Sequence, residues 1–140
     1  MVRFHAMRLR KFNFLMVIVG FIFAAEGCHQ PFAQGQALYD ANCSRCHGMD
    51  GQGFENLYPG ILESPYLMTA GSGLACVIVH GSDYLDEKRG GPGDEIPMPE
   101  NKHLTPVEVL NIINYLSWEF GSRETTTIDQ VMRALEGCKE

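Results

Sequence analysis

Cys43-Ser44-Arg45-Cys46-His47 carries the most specific chemistry in this chain. Two cysteines three positions apart on one helical turn point their sulfurs the same way, so both can form thioethers along one edge of a haem. The histidine that follows projects over the macrocycle, where its imidazole can reach the iron. A C-x-x-C-H run therefore reads as c-type haem attachment, with His47 as an axial ligand. Other chemistries use similar residues and fit less well. A thioredoxin-like dithiol needs a βαβ context, and no strand pattern precedes Cys43. Structural zinc needs four ligands, and no second C-x-x-C and no H-x-x-x-H is present.

The N-terminus argues against a chance match in a cytosolic chain. Arg3, Arg8, Arg10 and Lys11 precede an uncharged apolar run from Phe14 to Ala25, and small residues follow. That is the layout of a secretory signal, and the run is shorter than the ~20 residues that span a bilayer. Residues 1–27 are expected to be a signal peptide and the protein to be exported. Ala25-Glu26-Gly27-Cys28 resembles a bacterial lipoprotein cleavage box, although Ala25 and Glu26 depart from the usual residues there. The resemblance implies a lipid anchor on Cys28 and a membrane-anchored protein on the periplasmic side. The alternative is cleavage nearby with Cys28 left as a spare thiol.

The chain has 140 residues, 45% of them apolar, which suits one globular domain and excludes wholesale disorder. Its net charge is -6. Residues 1–27 hold four of the 11 basic and one of the 17 acidic side chains, leaving 7 against 16 and a net charge of -9. Such a surface excludes general nucleic-acid binding, which needs a basic face.

The stretch from Gly35 through Tyr39, Cys43, Cys46, His47 and Gly48 to Gly53 resembles the small class I cytochromes c, especially bacterial monohaem ones. The likeness extends through Pro59 and Met98 to about Gly121. It implies an all-α class I cytochrome c fold, its helices wrapped around one covalently bound haem c. It also implies that the first and last family helices cross closely at Gly35 and Tyr39, with Tyr115 on the other helix. Pro59, twelve residues beyond His47, matches the family proline whose carbonyl accepts a hydrogen bond from the histidine ligand.

The elements that must position these residues are partly marked. Residues 28–34 read as a tether. A first helix is expected over 34–45, a short one after Ser64-Pro65, and another over 72–80 ending at Gly81. In that last segment Val77-Ile78-Val79 could equally be a buried strand, and the resemblance favours helix. Residues 83–99 hold Gly90, Gly91, Pro92 and Gly93 and read as loop. Thr105-Pro106-Val107-Glu108 is a capping box opening a helix that stops at Gly121. Thr127-Ile128-Asp129-Gln130 is a second capping box, followed by apolar residues Ile128, Val131, Met132 and Leu135 at helical spacing. The expected organisation is a cytochrome domain over 35–121 and a helical extension over 122–140. The extension is expected to pack back on the domain, with a partner-docking helix as the rival reading.

The sixth iron ligand must come from the other haem face. Met49 is too close to His47, Met132 lies on an apolar helix stripe, and Met68 has no supporting context. Met98, between Pro97 and Pro99, lies in a stiffened loop where the family's methionine ligand sits. His80 and His103 are the other candidates. Cys76 and Cys138 remain after the haem pair and Cys28, and in an oxidising compartment they suggest a disulfide, the alternative being two buried free thiols.

With His47 and Met98 on iron, what remains is one-electron transfer in a respiratory chain, by a carrier that is not an enzyme. Two alternatives are a membrane-tethered haem subunit of a larger redox complex and a ligand sensor or enzyme with an open sixth site. Asp83, Asp86, Glu87, Asp94, Glu95 and Glu100, with Lys88 and Arg89 among them, cluster before or beside Met98. If this run is more than a solvated face, it calls for redox partners with a basic docking patch. A quinol-oxidising complex or dehydrogenase would donate, and a terminal oxidase or reductase would accept.

Overall fold

The computed structural model describes residues 30–54, 57–62, 64–68, 72–82, 84–85, 96–121 and 123–138. The signal-peptide stretch, Cys28, and the charged residues Asp83, Asp86, Glu87, Lys88, Arg89, Asp94 and Glu95 lie outside them. All elements below belong to the compact unit Phe32–Glu140. The named elements are six helices: α1 (Ala33–Asn42), α2 (Ser44–His47), α3 (Pro65–Met68), α4 (Ser72–His80), α5 (Pro106–Phe120) and α6 (Ile128–Gly137). Among the described residues there is no sheet, only an isolated bridge between Phe54 and Tyr58. The fold is all-α.

Helix α5 begins where its cap dictates. The Thr105 hydroxyl accepts from the Glu108 N–H at 3.3 Å, and the Glu108 carboxylate accepts from the Thr105 N–H at 2.7 Å. Two of the N–H groups left over at a helix start are thereby satisfied, and Pro106 lacks the next one. Its apolar stripe of Val109, Ile112, Ile113 and Leu116 is buried and forms the centre of the core. The segment 77–79 is helix, within α4, and its Ala75 and Ile78 join the same core.

Helices α1 and α5 cross at Gly35. A Cβ there would collide with the Asn111 carbonyl oxygen and lie 2.7 Å from Tyr115 Cβ. Only glycine allows the two backbones this close, which offsets its cost in a helix. One turn on, Tyr39 is buried against Tyr115 and Phe120, with ring centroids 5.5 and 6.0 Å away.

Three expectations need correction. The first helix is not continuous over 34–45: it ends at Asn42, and Cys43 caps a separate turn, α2. Cys43 has φ -120°, so its own N–H still closes α1 on Tyr39 at 2.8 Å while its carbonyl accepts from Cys46 and His47 at 3.1 and 3.0 Å. Residues 83–99 are not loop throughout, because Tyr84 and Leu85 are helical and Leu85 is buried. The expected apolar stripe of α6 is also rotated. Val131, Ala134 and Cys138 face inward, whereas Ile128 and Met132 are 37% and 44% exposed. Met132 is therefore not core filling.

Helix α6 packs on α4 and α5. Asn114 on α5 fastens the chain ahead of it, donating to the Thr126 carbonyl at 3.2 Å and accepting from the Thr126 N–H at 2.7 Å. A disulfide joins Cys138 at its end to Cys76 in the middle of α4, with Cα atoms 5.5 Å apart.

Candidate haem site

The first two helices deliver the C-x-x-C-H residues to one cavity of about 420 Å³. Cys43, Cys46 and His47 line it together with Pro59, and Met98 lines it too. Apolar side chains such as Leu67, Ile78 and Leu116, from α3, α4 and α5, supply much of the remaining wall. The volume falls within the ~300–1,000 Å³ of ordinary cofactor clefts.

His47 is held by its neighbours in the chain. Its Nδ1 lies 3.0 Å from the Pro59 carbonyl oxygen. A carbonyl can only accept, so Nδ1 donates the proton of this bond, which leaves Nε2 as the nitrogen that could face a metal. The loop that brings Pro59 back is closed by the Gly53 N–H on the His47 carbonyl at 2.8 Å and the Ile61 N–H on the Gly51 carbonyl at 2.9 Å. From α1, the Tyr39 hydroxyl donates to the Gly48 carbonyl at 2.5 Å. Burial holds that phenol well above its ordinary pKa, with Cys43 nearby adding to the effect, so it stays a donor.

Met98 is held by the end of α4. Its N–H donates to the Ser82 hydroxyl at 2.5 Å, and the Ser82 N–H donates to the Met98 carbonyl at 3.0 Å. Asn101 adds three bonds: its N–H to the Val79 carbonyl at 2.9 Å, and its side-chain amide to the carbonyls of Ile78 at 3.0 Å and Pro99 at 3.4 Å. Helix C-termini leave carbonyls unpaired, and here the methionine loop satisfies them. Gly81 makes the approach feasible: its φ is +61°, and a Cβ would collide with the Met98 carbonyl and lie 2.7 Å from that of Pro99.

The other candidates fall elsewhere. His103 Nε2 lies 3.2 Å from Asn42 Oδ1 on an exposed surface. His80, Met49 and Met132 do not line the cavity, nor do the disulfide-bonded Cys76 and Cys138. The side chain of Met68 falls outside the described residues. Glu100 forms an ion pair with Lys102 at the surface. Ser82 and Asn101 escaped the sequence reading because each is a single polar residue with no motif around it; Tyr39 and Gly48 lie in the family-like stretch, but nothing in it announced the bond between them.

The donor set decides what the cavity can hold. Cys43 and Cys46 are free thiols. Burial, and then Cys46 beside it, pushes the Cys43 thiol up to about 11, so it is no thiolate nucleophile at neutral pH. Among the described residues no group of three or more His, Cys, Asp or Glu comes together for a metal ion. Two thiols able to become thioethers, an imidazole oriented through its Nδ1, one thioether sulfur and apolar walls fit a haem c.

The comparisons with known proteins agree. The family model described as cytochrome c matches residues 32–119. The chain is 28% identical over 96 residues to the cytochrome c subunit of alcohol dehydrogenase (quinone) from Gluconobacter oxydans (strain 621H). That match covers 67% of this chain and only 20% of the relative, so the chain corresponds to about a fifth of it. It is 31% identical over 90 residues to cytochrome c-554(547) from Halothiobacillus neapolitanus, covering 61% of this chain and 92% of that protein. A matched family model over most of the chain, an all-α fold and a cavity with these donors lead to one conclusion: the chain belongs to the cytochrome c family.

Proposed function

We propose that the protein carries one electron at a time on a single haem c, which Cys43 and Cys46 would join covalently and His47 and Met98 would hold by its iron. The observation that carries this reading is the meeting of the C-x-x-C-H residues and Met98 in one largely apolar cavity. When bound, the haem supplies an iron that alternates between Fe(III) and Fe(II). The chain's own residues do the rest. The two sulfurs fix one edge of the macrocycle, and the Pro59 carbonyl orients the His47 ring and raises its basicity. Met98 contributes a soft, neutral thioether, which favours the reduced state relative to a second imidazole. The apolar walls exclude water. With His47 and Met98 both engaged by the iron, the chain would leave it no open place for a substrate.

Residues 1–27 would direct export, and a lipid on Cys28 would hold the domain at the periplasmic face of a membrane through a tether shorter than the expected 28–34, because α1 already begins at Ala33. No helix among the described residues is long and apolar enough to cross a membrane. The haem domain would then be residues 35–121 and the extension 122–140. The acidic residues around 83–100 suit redox partners with a basic patch, a quinol-oxidising complex or dehydrogenase on one side and a terminal oxidase or reductase on the other. Such pairing predicts association that slows as salt rises. A second reading, a tethered haem subunit of a larger redox complex, draws on the likeness to the Gluconobacter subunit. Co-purification with a membrane complex would favour it.

Mass spectrometry of the denatured protein, isolated from membranes, tests covalent attachment and anchoring together. The expected chain begins at an acylated Cys28 and carries one haem, which the Cys43→Ser, Cys46→Ser double variant lacks. Haem that extracts into acidified organic solvent from the wild type would contradict the attachment.

A further inference from the structure

The C-terminal extension reaches Met98 through a short series of contacts. Cys138, at the end of α6, is bonded to Cys76 in α4. Cys76 stands about one turn before the end of that helix at His80, ~6 Å along its axis. The end of α4 is where residues 98–101 attach: Ser82 pairs both ways with Met98, and Asn101 takes the carbonyls of Ile78 and Val79. Ser82 and Asn101 are both buried, so water cannot replace these bonds without an opening of the loop. The position of Met98 therefore depends on where α4 ends, and α4 is covalently fixed to α6.

We infer that the Cys76–Cys138 disulfide and α6 act as a brace that positions Met98, with Ser82 and Asn101 as the positioning residues that transmit it. The extension then does more than stabilise the domain. It holds the methionine loop closed, so that a competing ligand must first open a loop anchored to a cross-linked helix. The inference rests on Met98 being the sixth ligand, and the test separates the two.

Imidazole binding to the ferric holoprotein reads loop opening, because it requires Met98 to leave. Global unfolding does not affect this reading while nearly all molecules stay folded. The Cys76→Ala, Cys138→Ala double variant should bind imidazole about tenfold more tightly than wild type, since its competent open state is more populated. Ser82→Ala, which leaves the disulfide intact, should bind it about threefold to fivefold more tightly. Unchanged affinity in both variants would overturn the brace. Met98→Ala should bind most tightly of all; if it binds no better than wild type, the ligand assignment fails instead. Amide exchange then tests the brace without reference to iron. The N–H groups of Ser82 and Asn101 bond directly across the loop–helix junction, and that of His47 bonds within α2. In the double variant the first two should speed up about tenfold relative to the third. An unchanged ratio would mean that the disulfide stabilises the whole domain without positioning Met98.

Discussion

The two ligand candidates of the cavity are supported in different ways. Around His47 the support is local: Cys43 ends one helix and starts the next, and the chain from Gly48 folds back to bring the Pro59 carbonyl to Nδ1 at 3.0 Å. Around Met98 the support is remote. No helix carries it, and its bonds go to Ser82 and, through Asn101, to the carbonyls at the end of α4. The loops closed are similar in length, but His47 also sits in a hydrogen-bonded helical turn of its own, whereas Met98 has none and depends on the end of α4 being in place. The His47 side should therefore keep its geometry when the molecule is loosened, and the Met98 side should yield first.

The largest effect is expected where the two sides share a support. Helix α1 leads into the C-x-x-C-H turn, and α5 follows the methionine loop; they cross at Gly35. Gly35→Ala places a methyl group against the backbone of Asn111, which cannot move without parting the helices. A loss of about 3 kcal/mol of stability is expected, measured by denaturant unfolding of the holoprotein. A loss below ~0.5 kcal/mol would mean that the crossing adjusts freely.

A smaller change tests the His47 side alone. Tyr39→Phe keeps the ring packed against Tyr115 but removes the donor to the Gly48 carbonyl. The expected cost is about 1 kcal/mol, with imidazole affinity of the ferric protein unchanged because Met98 is untouched. Tighter imidazole binding in this variant would blur the distinction between the sides.

The smallest effect lies at the start of α5, next to the methionine loop. The Glu108 carboxyl is held below its usual range, chiefly by the Thr105 N–H and then by the Thr105 hydroxyl. The folded state thus favours the ionised form, so the contribution is full at neutral pH and is lost as pH falls through the lowered folded value. Glu108→Gln should be slightly less stable than wild type at neutral pH, have a flatter acid limb and converge with wild type at low pH. An equal acid slope in both proteins would show that the cap carries no ionic part.

How much could be read in advance follows the same division. The C-x-x-C-H run and the capping boxes at Thr105 and Thr127 are contiguous patterns with fixed spacing, and α5 and α6 begin where those boxes place them. Gly35 was legible only through the family likeness, since a glycine in a helix has no signal of its own for close approach. The break at Cys43 was hidden because a one-residue kink leaves the apolar period intact. The stripe of α6 was misplaced because Ala134 and Cys138 are small and weakly apolar, yet the cross-link and the close packing on α4 select the face that carries them. Ser82 and Asn101 look like any surface polar residue until the unpaired carbonyls of α4 are seen.

The most direct test is the optical spectrum of the oxidised holoprotein, recorded for wild type and Met98→Ala side by side. Ligation by His47 and Met98 predicts a methionine–iron charge-transfer band in the wild type that disappears in the variant. Absence of that band in the wild type, with ready binding of carbon monoxide to its reduced form, would contradict it and leave the sixth site open.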